Sequence, residues 1–233
     1  MGNKRKQARR AVRQALKSKP RIQDYEIDTI IVNEQAVHPT LPPTKPKRDK
    51  SPIEALNEAQ AHYLISLDTK ALTFATGEAG CGKTYLAATV AAQRLLDKEV
   101  EKIIVTRPVY DVLKKRLGGS FLEYCLKPEV AKVEIAPFAY MRGRTFENAV
   151  VILDEAQNVT ASQMKMFLTR MDENVTVIVN GDITQCDLPG NVKSGLEDAL
   201  ARFRPSAHVG LVEFTTEDCV RSELCKIALE AYQ

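Results

Sequence analysis

The residues best suited to chemistry start with a glycine-rich segment, residues 77–84, which reads GEAGCGKT. Its spacing matches G-x-x-x-x-G-K-[ST], and it lies between an apolar run of strand length and an alanine-rich stretch of helical character. Glycines let the backbone curl so that several N–H groups point at one phosphate, and a helix N-terminus adds the positive end of its dipole. The segment, called the P-loop below, therefore predicts a site for the phosphates of a nucleotide.

Two side chains of the P-loop have specific expected roles. Lys83 would neutralise the β- and γ-phosphates, and the hydroxyl of Thr84 would bind Mg²⁺. The expected nucleotide-binding set is the P-loop and the residue that follows it: Gly77, Glu78, Ala79, Gly80, Cys81, Gly82, Lys83, Thr84 and Tyr85.

A second motif, AVVILDE at residues 149–155, is an apolar strand that ends in two carboxylates. At the edge of a parallel sheet, Asp154 would hold Mg²⁺ through its water shell, and Glu155 would orient and activate the attacking water. Alone, two acids after a strand are more often a solvated loop. Because a P-loop precedes them in the chain, the catalytic interpretation is favoured.

A third motif, VIVNGDITQ at residues 177–185, is another apolar strand that ends in polar side chains. A glutamine at Gln185 would reach both the γ-phosphate and the hydrolytic water, and so would sense whether the bond between them is intact. The alternative is that Asn180 and Asp182 simply terminate the strand and begin a turn.

Several elements must position these motifs. Apolar runs of strand length occupy residues 72–76, 102–106, 149–153, 175–180 and 208–214, and helical patterns occupy residues 83–97, 162–171, 192–203 and 217–232. Thr160 and Gln163 form a capping box before the second of these helices, and Thr216 would cap the last. Near-continuous apolar strands that alternate with helices predict an α/β fold, a three-layer sandwich around a mostly parallel sheet.

The charge of the chain is unevenly distributed. Residues 1–50 hold thirteen Lys/Arg and five Asp/Glu, a charge of +8, although the whole chain of 233 residues carries only +3. Residues 38–52 are rich in proline and lysine, which is typical of a linker. We therefore predict a basic N-terminal extension with linker at residues 1–51 and an ATPase domain at residues 52–233. Residues 1–21 could bind the phosphates of RNA or DNA, or form a solubilising tail; the sequence favours neither.

Composition narrows the class of protein. No apolar run reaches the about 18–20 residues that cross a bilayer, so no membrane association is expected. The five cysteines are scattered, without a CxxC pair, which is typical of a reducing compartment rather than of a disulfide framework or zinc site. The expected location is the cytoplasm.

The motifs together closely resemble the PhoH-like ATPase family over residues 52–233. The stretches that carry this resemblance are TGEAGCGKT, VTRP, IAPFAYMRGRTF, ILDEAQN, QMKMFLTR, NGDITQCDLP and FTTEDCVRSEL. The DEAQ and GDxxQ motifs are shared with superfamily 1 helicases, whereas AYMRGRT is more specific. The resemblance implies a RecA-like core, ATP binding with hydrolysis and, for some members, hexameric rings that act on RNA.

The resemblance also implies roles for residues outside the three motifs. Gln60 is similar to the glutamine that recognises adenine in such ATPases; the alternative is a solvated helix residue. Arg221 is similar to a late arginine that stabilises the γ-phosphate charge, in cis or across a subunit boundary; the alternative is an exposed helix arginine. Arg107, Arg142 and Arg144 lie at strand ends or in a loop, where they could contact phosphates of a nucleic acid or of a neighbour's ATP. Arg142 and Arg144 are the favoured pair, with a structural ion pair as an equal rival interpretation.

One departure from the family pattern matters. VTRPV at residues 105–109 runs directly into Tyr110, whereas family members carry a longer segment there. The leading expectation is a Mg²⁺-dependent ATP hydrolase coupled to remodelling of RNA or single-stranded nucleic acid. Its expected assembly is a homo-oligomeric ring, with a hexamer as the candidate size. The alternatives are a small-molecule P-loop kinase, with residues 142–144 as its acceptor lid, and a non-hydrolysing nucleotide switch.

Overall fold

The computed structural model describes residues 48–107, 109–138, 141–204 and 206–220. The strands of this part are β1 (Leu72–Thr76), β2 (Lys102–Val105), β3 (Val133–Ile135), β4 (Ala149–Leu153), β5 (Val175–Gly181) and β6 (Val209–Glu213). Its α-helices are α1 (Glu58–Thr69), α2 (Lys83–Leu96), α3 (Tyr110–Leu117), α4 (Gly119–Cys125), α5 (Ala161–Leu168) and α6 (Gly195–Phe203), with 3₁₀ turns at Ala156–Asn158 and Thr216–Asp218. None of the helices in this part of the chain is long and apolar enough to span a membrane.

The strands form one sheet in the order β3-β2-β4-β5-β1-β6, and every pairing is parallel. The sheet has a hydrophobic core on each face, and successive residues of a strand pack into opposite cores because side chains alternate across a sheet. In β4, Val150 and Ile152 join one core, and Val151 and Leu153 join the other. All five residues of β4 are buried, which explains why its sequence is continuously apolar.

Helices cover both faces of the sheet. The core on one face includes buried residues of α1, α2, α3 and α4, and the core on the other face includes those of α5 and α6. The result is the predicted three-layer α/β sandwich with a parallel sheet, the architecture of P-loop NTPases.

The strand order brings the three motifs together. β5 lies between β1 and β4, so the P-loop strand and the acidic strand are separated by the strand of the third motif. The carboxyl ends of parallel neighbours meet at one edge of the sheet, which is where ligands bind in open α/β folds. The chain segments after Thr76, Leu153 and Gly181 are therefore neighbours.

Several boundaries differ from the sequence predictions. α5 has the predicted capping box of Thr160 and Gln163, but it ends at Leu168 rather than at residue 171. The Thr169 hydroxyl bonds back to the Lys165 carbonyl, and Met171 then forms a parallel bridge with Phe146. Thr215 and Asp218 form a reciprocal capping box around the 3₁₀ turn Thr216–Asp218, and the helix that Thr216 was predicted to cap lies largely outside the described residues.

Other predictions fall partly or wholly outside the described residues. Most of the extension at residues 1–51 lies there, and so does the predicted helix beyond residue 220, which contains Arg221. The division of the chain into residues 1–51 and 52–233 stays a prediction. Strand β3 and helices α1, α3 and α4 were not among the predicted elements. The strand β3 has only three residues, and α3 follows directly on the shortened segment.

Candidate nucleotide-binding site

The P-loop is held where a side chain would not fit. Gly77 follows β1 with φ of 131°, and an ideal Cβ there would lie 2.2 Å from the Phe214 carbonyl oxygen. Phe214, the residue after β6, donates its backbone N–H to the Thr76 carbonyl (2.7 Å), which holds the Phe214 backbone close to Gly77. Gly82 also has a positive φ, 86°, at the N-terminus of α2. These two glycines give the loop its curl and leave the first N–H groups of α2 without helical partners.

Lys83 lies folded back over the loop. Its ammonium donates to the carbonyl oxygens of Gly77 (2.6 Å) and Glu78 (2.7 Å). Burial lowers the pKa of Lys83, and the nearby charge of Asp182 works in the opposite direction. A partly desolvated cation beside exposed loop N–H groups is suited to an anionic group such as a phosphate.

Thr84 and Asp154 contact each other across the cleft between α2 and β4. The Thr84 hydroxyl lies 3.0 and 3.1 Å from the two carboxylate oxygens of Asp154. Burial raises the pKa of Asp154, while the hydrogen bond from Thr84 lowers it and the charge of Glu155 raises it further. A hydroxyl and a desolvated carboxylate are hard oxygen ligands, the donor set that Mg²⁺ prefers, so these residues fit the predicted ion.

Glu155 has an unusual backbone conformation. Its φ of 56° and ψ of 43° place it in the left-handed region, which is uncommon for a residue with a Cβ and is enriched at functional sites. One oxygen of its carboxylate lies 3.4 Å from the Arg107 guanidinium. The other accepts a hydrogen bond of 2.7 Å from the Gln157 amide.

Gln185 is exposed and lies in a turn after β5. Asp182 shapes this turn: its carboxylate accepts from the Thr184 N–H (3.0 Å) and hydroxyl (2.6 Å), and its carbonyl accepts from the Gln185 N–H (3.1 Å). Asp182 thus has the turn role that the sequence offered as an alternative. The same turn presents Gln185 toward the P-loop.

These residues surround one cavity of about 390 Å³. It is lined by Ala79, Gly80, Gly82, Lys83, Thr84, Tyr85, Val112, Asp154, Glu155, Gly181, Asp182 and Gln185. The structure therefore brings together both carboxylates, the lysine, the threonine and the glutamine that the three motifs predicted. Gly77, Glu78 and Cys81 do not line it; the Cys81 thiol is buried, lies 3.6 Å from the Thr215 carbonyl, and has a pKa raised by burial.

Gln60 is buried, with 2% exposure, so it is not a solvated helix residue. Its amide nitrogen donates to the Cys81 carbonyl (3.0 Å), and its amide oxygen accepts from the Leu56 N–H (2.9 Å). Gln60 lines a second cavity of about 280 Å³, and Gly82 and Tyr85 border both cavities. The predicted adenine-binding residue therefore lies against the P-loop, beside a cavity that shares Gly82 and Tyr85 with the first one.

The predicted arginines have different surroundings. Arg144 forms a two-pronged ion pair with Glu134, 2.8 Å for the longer contact, and its guanidinium lies 5.4 Å from the Phe146 ring centroid. This is the structural ion pair that rivalled a phosphate contact, and it occupies one arginine of the suggested kinase lid. Arg142 is exposed. Arg221 lies outside the described residues.

Sequence reasoning assigned no role to Gln157, and it treated Asp182 as a turn residue at most. Gln157 is 1% exposed and bonds to both Glu155 and the Asp182 backbone. The signal that could have identified Gln157 is its place in the DEAQ motif, two positions after Glu155. Asp182 borders the phosphate cavity, and its position in GDITQ is the corresponding signal.

Comparison with known proteins identifies the relatives of the chain. The family model described as PhoH-like protein matches residues 52–128 and 107–233. Protein PhoH of Escherichia coli K12 is 54% identical over 253 residues, covering 98% of this chain and 71% of that protein. A PhoH-like protein of Bacillus subtilis is 38% identical over 214 residues (81% and 66%), and one of Mycobacterium bovis is 38% identical over 198 residues (74% and 56%).

Two solved structures overlap part of the chain. The Pif1 helicase of Candida albicans covers 70% of it with a TM-score of 0.39, and the Sulfolobus solfataricus SWI2/SNF2 ATPase core in complex with dsDNA covers 68% with a TM-score of 0.42. The overlap takes in 41% and 43% of those chains, at 16% identity. Scores this low assign neither protein's activity to this chain.

The comparisons also bear on the shortened segment. The alignment with the Escherichia coli protein extends over 253 residues, whereas this chain has 233. At least 20 positions of that alignment therefore hold a residue of the relative and none of this chain. The two ranges of the family match overlap at residues 107–128, which is where the segment after VTRP is short. Family match, identity and an intact phosphate site agree, and the chain belongs to the PhoH-like protein family of P-loop NTPases.

Proposed function

We propose that this chain binds and hydrolyses ATP with Mg²⁺ and couples hydrolysis to remodelling of RNA or another single-stranded nucleic acid. The observation that carries the proposal is the contact between Thr84 and Asp154, with Glu155 next in the chain, at the cavity that the P-loop lines. A P-loop alone binds phosphates. The additional carboxylates and Gln185 supply what hydrolysis requires.

Each side chain has one task in this proposal. Lys83 exchanges its bonds to the loop carbonyls for bonds to phosphate oxygens. Thr84 and Asp154 hold Mg²⁺, which when bound neutralises charge on the phosphates. Glu155 accepts the proton of the attacking water, and Gln185 contacts the γ-phosphate and that water.

The proposed base is adenine. An amide pairs with both N6 and N7 of adenine, which is a physical reason for Gln60 to favour ATP over GTP. Its burial beside the second cavity supports this assignment. Because both ends of the Gln60 amide already bond to Leu56 and Cys81, base binding would have to replace one of these bonds.

The proposed partner and assembly rest on the family resemblance. A superfamily 1 helicase places an arginine of one RecA-like lobe against the ATP held by another lobe, and the described residues form one such lobe around a single sheet. A neighbouring copy would then provide the second, which leads to a ring, with Arg221 as the candidate arginine. Arg142 is exposed and remains the better candidate for a nucleic-acid contact than the paired Arg144.

Steady-state ATP turnover with and without single-stranded RNA, for the wild type and Glu155→Gln, tests the proposal. We expect wild-type turnover that RNA stimulates, and a loss of about 100-fold or more in the variant, the usual contribution of a general base. Equal turnover in the two proteins would remove the hydrolase assignment. ATP binding without turnover would support a nucleotide switch, and turnover that RNA leaves unchanged would remove the nucleic-acid partner.

A further inference from the structure

We propose that Gln157 is a positioning residue that fixes the Glu155 carboxylate and couples it to the turn at residues 182–185. This inference rests on the proposed hydrolase function, in which Glu155 activates water and Gln185 senses the γ-phosphate. It adds a physical link between these two residues, made through one buried amide.

The link consists of two hydrogen bonds from one side chain. The Gln157 amide nitrogen donates to one Glu155 carboxylate oxygen at 2.7 Å. Its amide oxygen accepts the backbone N–H of Asp182 at 3.0 Å. Asp182 in turn accepts the N–H of Gln185 on its carbonyl, so the chain of bonds runs from the proposed base to the proposed sensor.

The surroundings of Gln157 leave its side chain little freedom. An ideal Cβ on Gly181 would lie 2.9 Å from the Gln157 amide oxygen and 2.5 Å from Leu196, so only glycine leaves room for the amide. The Gln157 carbonyl accepts from the Ser194 hydroxyl (3.0 Å) and the Cys186 thiol (3.3 Å). A side chain that is 1% exposed and bonded at both ends is fixed in one rotamer.

Glu155 needs such a support. Its side chain is 44% exposed, and among the described residues the Gln157 amide makes the one side-chain hydrogen bond that its carboxylate receives. The other contact is the ion pair with Arg107, whose side chain is 58% exposed, and ion pairs between exposed groups contribute little. The buried amide therefore sets the direction of the carboxylate, and any shift of the 182–185 turn reaches it through Gln157.

Two isosteric variants test the link. Gln157→Glu keeps an oxygen acceptor for the Asp182 N–H but replaces the donor to Glu155 with a like charge. Gln157→Met removes both bonds. We expect each to lower kcat for ATP by about 10- to 100-fold, the effect of misplacing a catalytic group by roughly 1 Å. The KM for ATP should change by less than about twofold, because Gln157 is not among the cavity-lining residues.

The effect must act through Glu155. In a Glu155→Gln background, either Gln157 variant should therefore lower the residual rate no further, since the two changes remove the same function. A merely structural role would give the same fold-loss in both backgrounds. Gln163→Ala is the matched control: it removes a glutamine of the capping box on α5, outside the site, and should leave kcat unchanged.

Wild-type kcat in Gln157→Glu would overturn the inference, and so would equal losses in the two backgrounds. Either result leaves the proposed function intact if Glu155→Gln still abolishes turnover. Equal turnover of wild type and Glu155→Gln would instead remove the proposed function, and the inference with it.

Discussion

Asp154 carries its carboxylate at a place where burial disfavours a negative charge. The hydrogen bond from Thr84 and the charge of Arg107 compensate only in part, and Glu155 beside it adds a like charge. The group is therefore held in an environment that a cation would relieve. This is the electrostatic arrangement expected of a metal site, because a bound cation would stabilise the buried carboxylate and with it the folded protein.

Asp154→Asn should raise the melting temperature of the nucleotide-free protein. The asparagine amide keeps an oxygen that can accept a hydrogen bond from Thr84. It removes a carboxylate whose pKa is raised in the folded state, and whose ionisation near neutral pH therefore destabilises the fold. Thermal unfolding without Mg²⁺ or nucleotide measures the shift. The stabilisation by added Mg²⁺ and ATP should be lost in the same variant, and a lower melting temperature without ligand would contradict this account of Asp154.

Mg²⁺ binding should weaken with falling pH sooner than an ordinary aspartate would predict. Because the pKa of Asp154 is raised, its carboxylate takes up a proton at a higher pH than in the unfolded chain. For the same reason, the contribution of Asp154 to the free energy of unfolding falls as the pH rises from the ordinary pKa of an aspartate through the raised pKa of the folded state. Titration of Mg²⁺ affinity against pH measures the first effect; an affinity that falls only in the pH range of an ordinary aspartate would refute it.

At the scale of elements, the close packing of β5 against α6 and the Ala156–Asn158 turn depends on Gly181. Gly181→Ala should cost about 1–3 kcal/mol, because its Cβ would meet Leu196 at 2.5 Å and the Gln157 amide at 2.9 Å. It should also lower kcat by displacing Gln157. Chemical denaturation measures the first effect and ATP turnover the second.

Gly190→Ala is the control for that variant. An added Cβ at Gly190 meets nothing within 4 Å, so the free energy of unfolding should stay within about 0.5 kcal/mol of the wild type. If the two alanine variants proved equally stable, the tight contact at Gly181 would not be a determinant of the fold.

The elements also show how far local sequence carries. β1 and β4 have the predicted bounds, since five-residue apolar runs buried on both faces leave little ambiguity. The capping box before α5 was predicted, but the end of α5 was not, because a bridge between Met171 and Phe146 redirects the chain. The three-residue strand β3 is defined by its pairing with β2, a contact that no local pattern reports.

For the whole molecule, the candidate site is built on one edge of a single sheet, and the proposed arginine, Arg221, would act in cis or in a neighbour. Arg221→Ala should retain ATP binding and lower turnover by about 1,000-fold or more, the contribution of arginine fingers. Binding of ATP and its turnover are measured separately to divide the two effects.

Mixing two inactive variants decides where Arg221 acts. Lys83→Ala keeps Arg221 but lacks the lysine for phosphate, whereas Arg221→Ala keeps a complete P-loop. If the arginine acts across a subunit boundary, the mixture should recover part of the wild-type turnover, and size measurements should show assembly that ATP promotes. No recovery, with monomers at every ATP concentration, would exclude the ring.

The basic extension offers a further test at this scale. Removing residues 1–21, which hold nine Lys/Arg, should weaken binding to single-stranded RNA and flatten its salt dependence, because fewer counterions are released. RNA-independent ATP turnover should be unchanged. Unaltered RNA affinity at every salt concentration would favour the solubilising tail.

Sequence alone determined the P-loop motif, the acidic end of one strand, the polar end of another and the α/β class. These follow from local rules: glycine spacing, apolar strands that end in polar groups, and helical periodicity. The tertiary structure decided which side chains meet. The order β4-β5-β1 sets Thr84 against Asp154 and places Gln157 between Glu155 and Asp182. Packing between other segments buries Gln60 against the P-loop and pairs Arg144 with Glu134 of β3. The contacts of Thr84 with Asp154 and of Gln157 with Asp182 join residues distant in the chain, and they depend on strand order. The position of Gln157 also depends on the space that Gly181 leaves, and no local pattern encodes either condition.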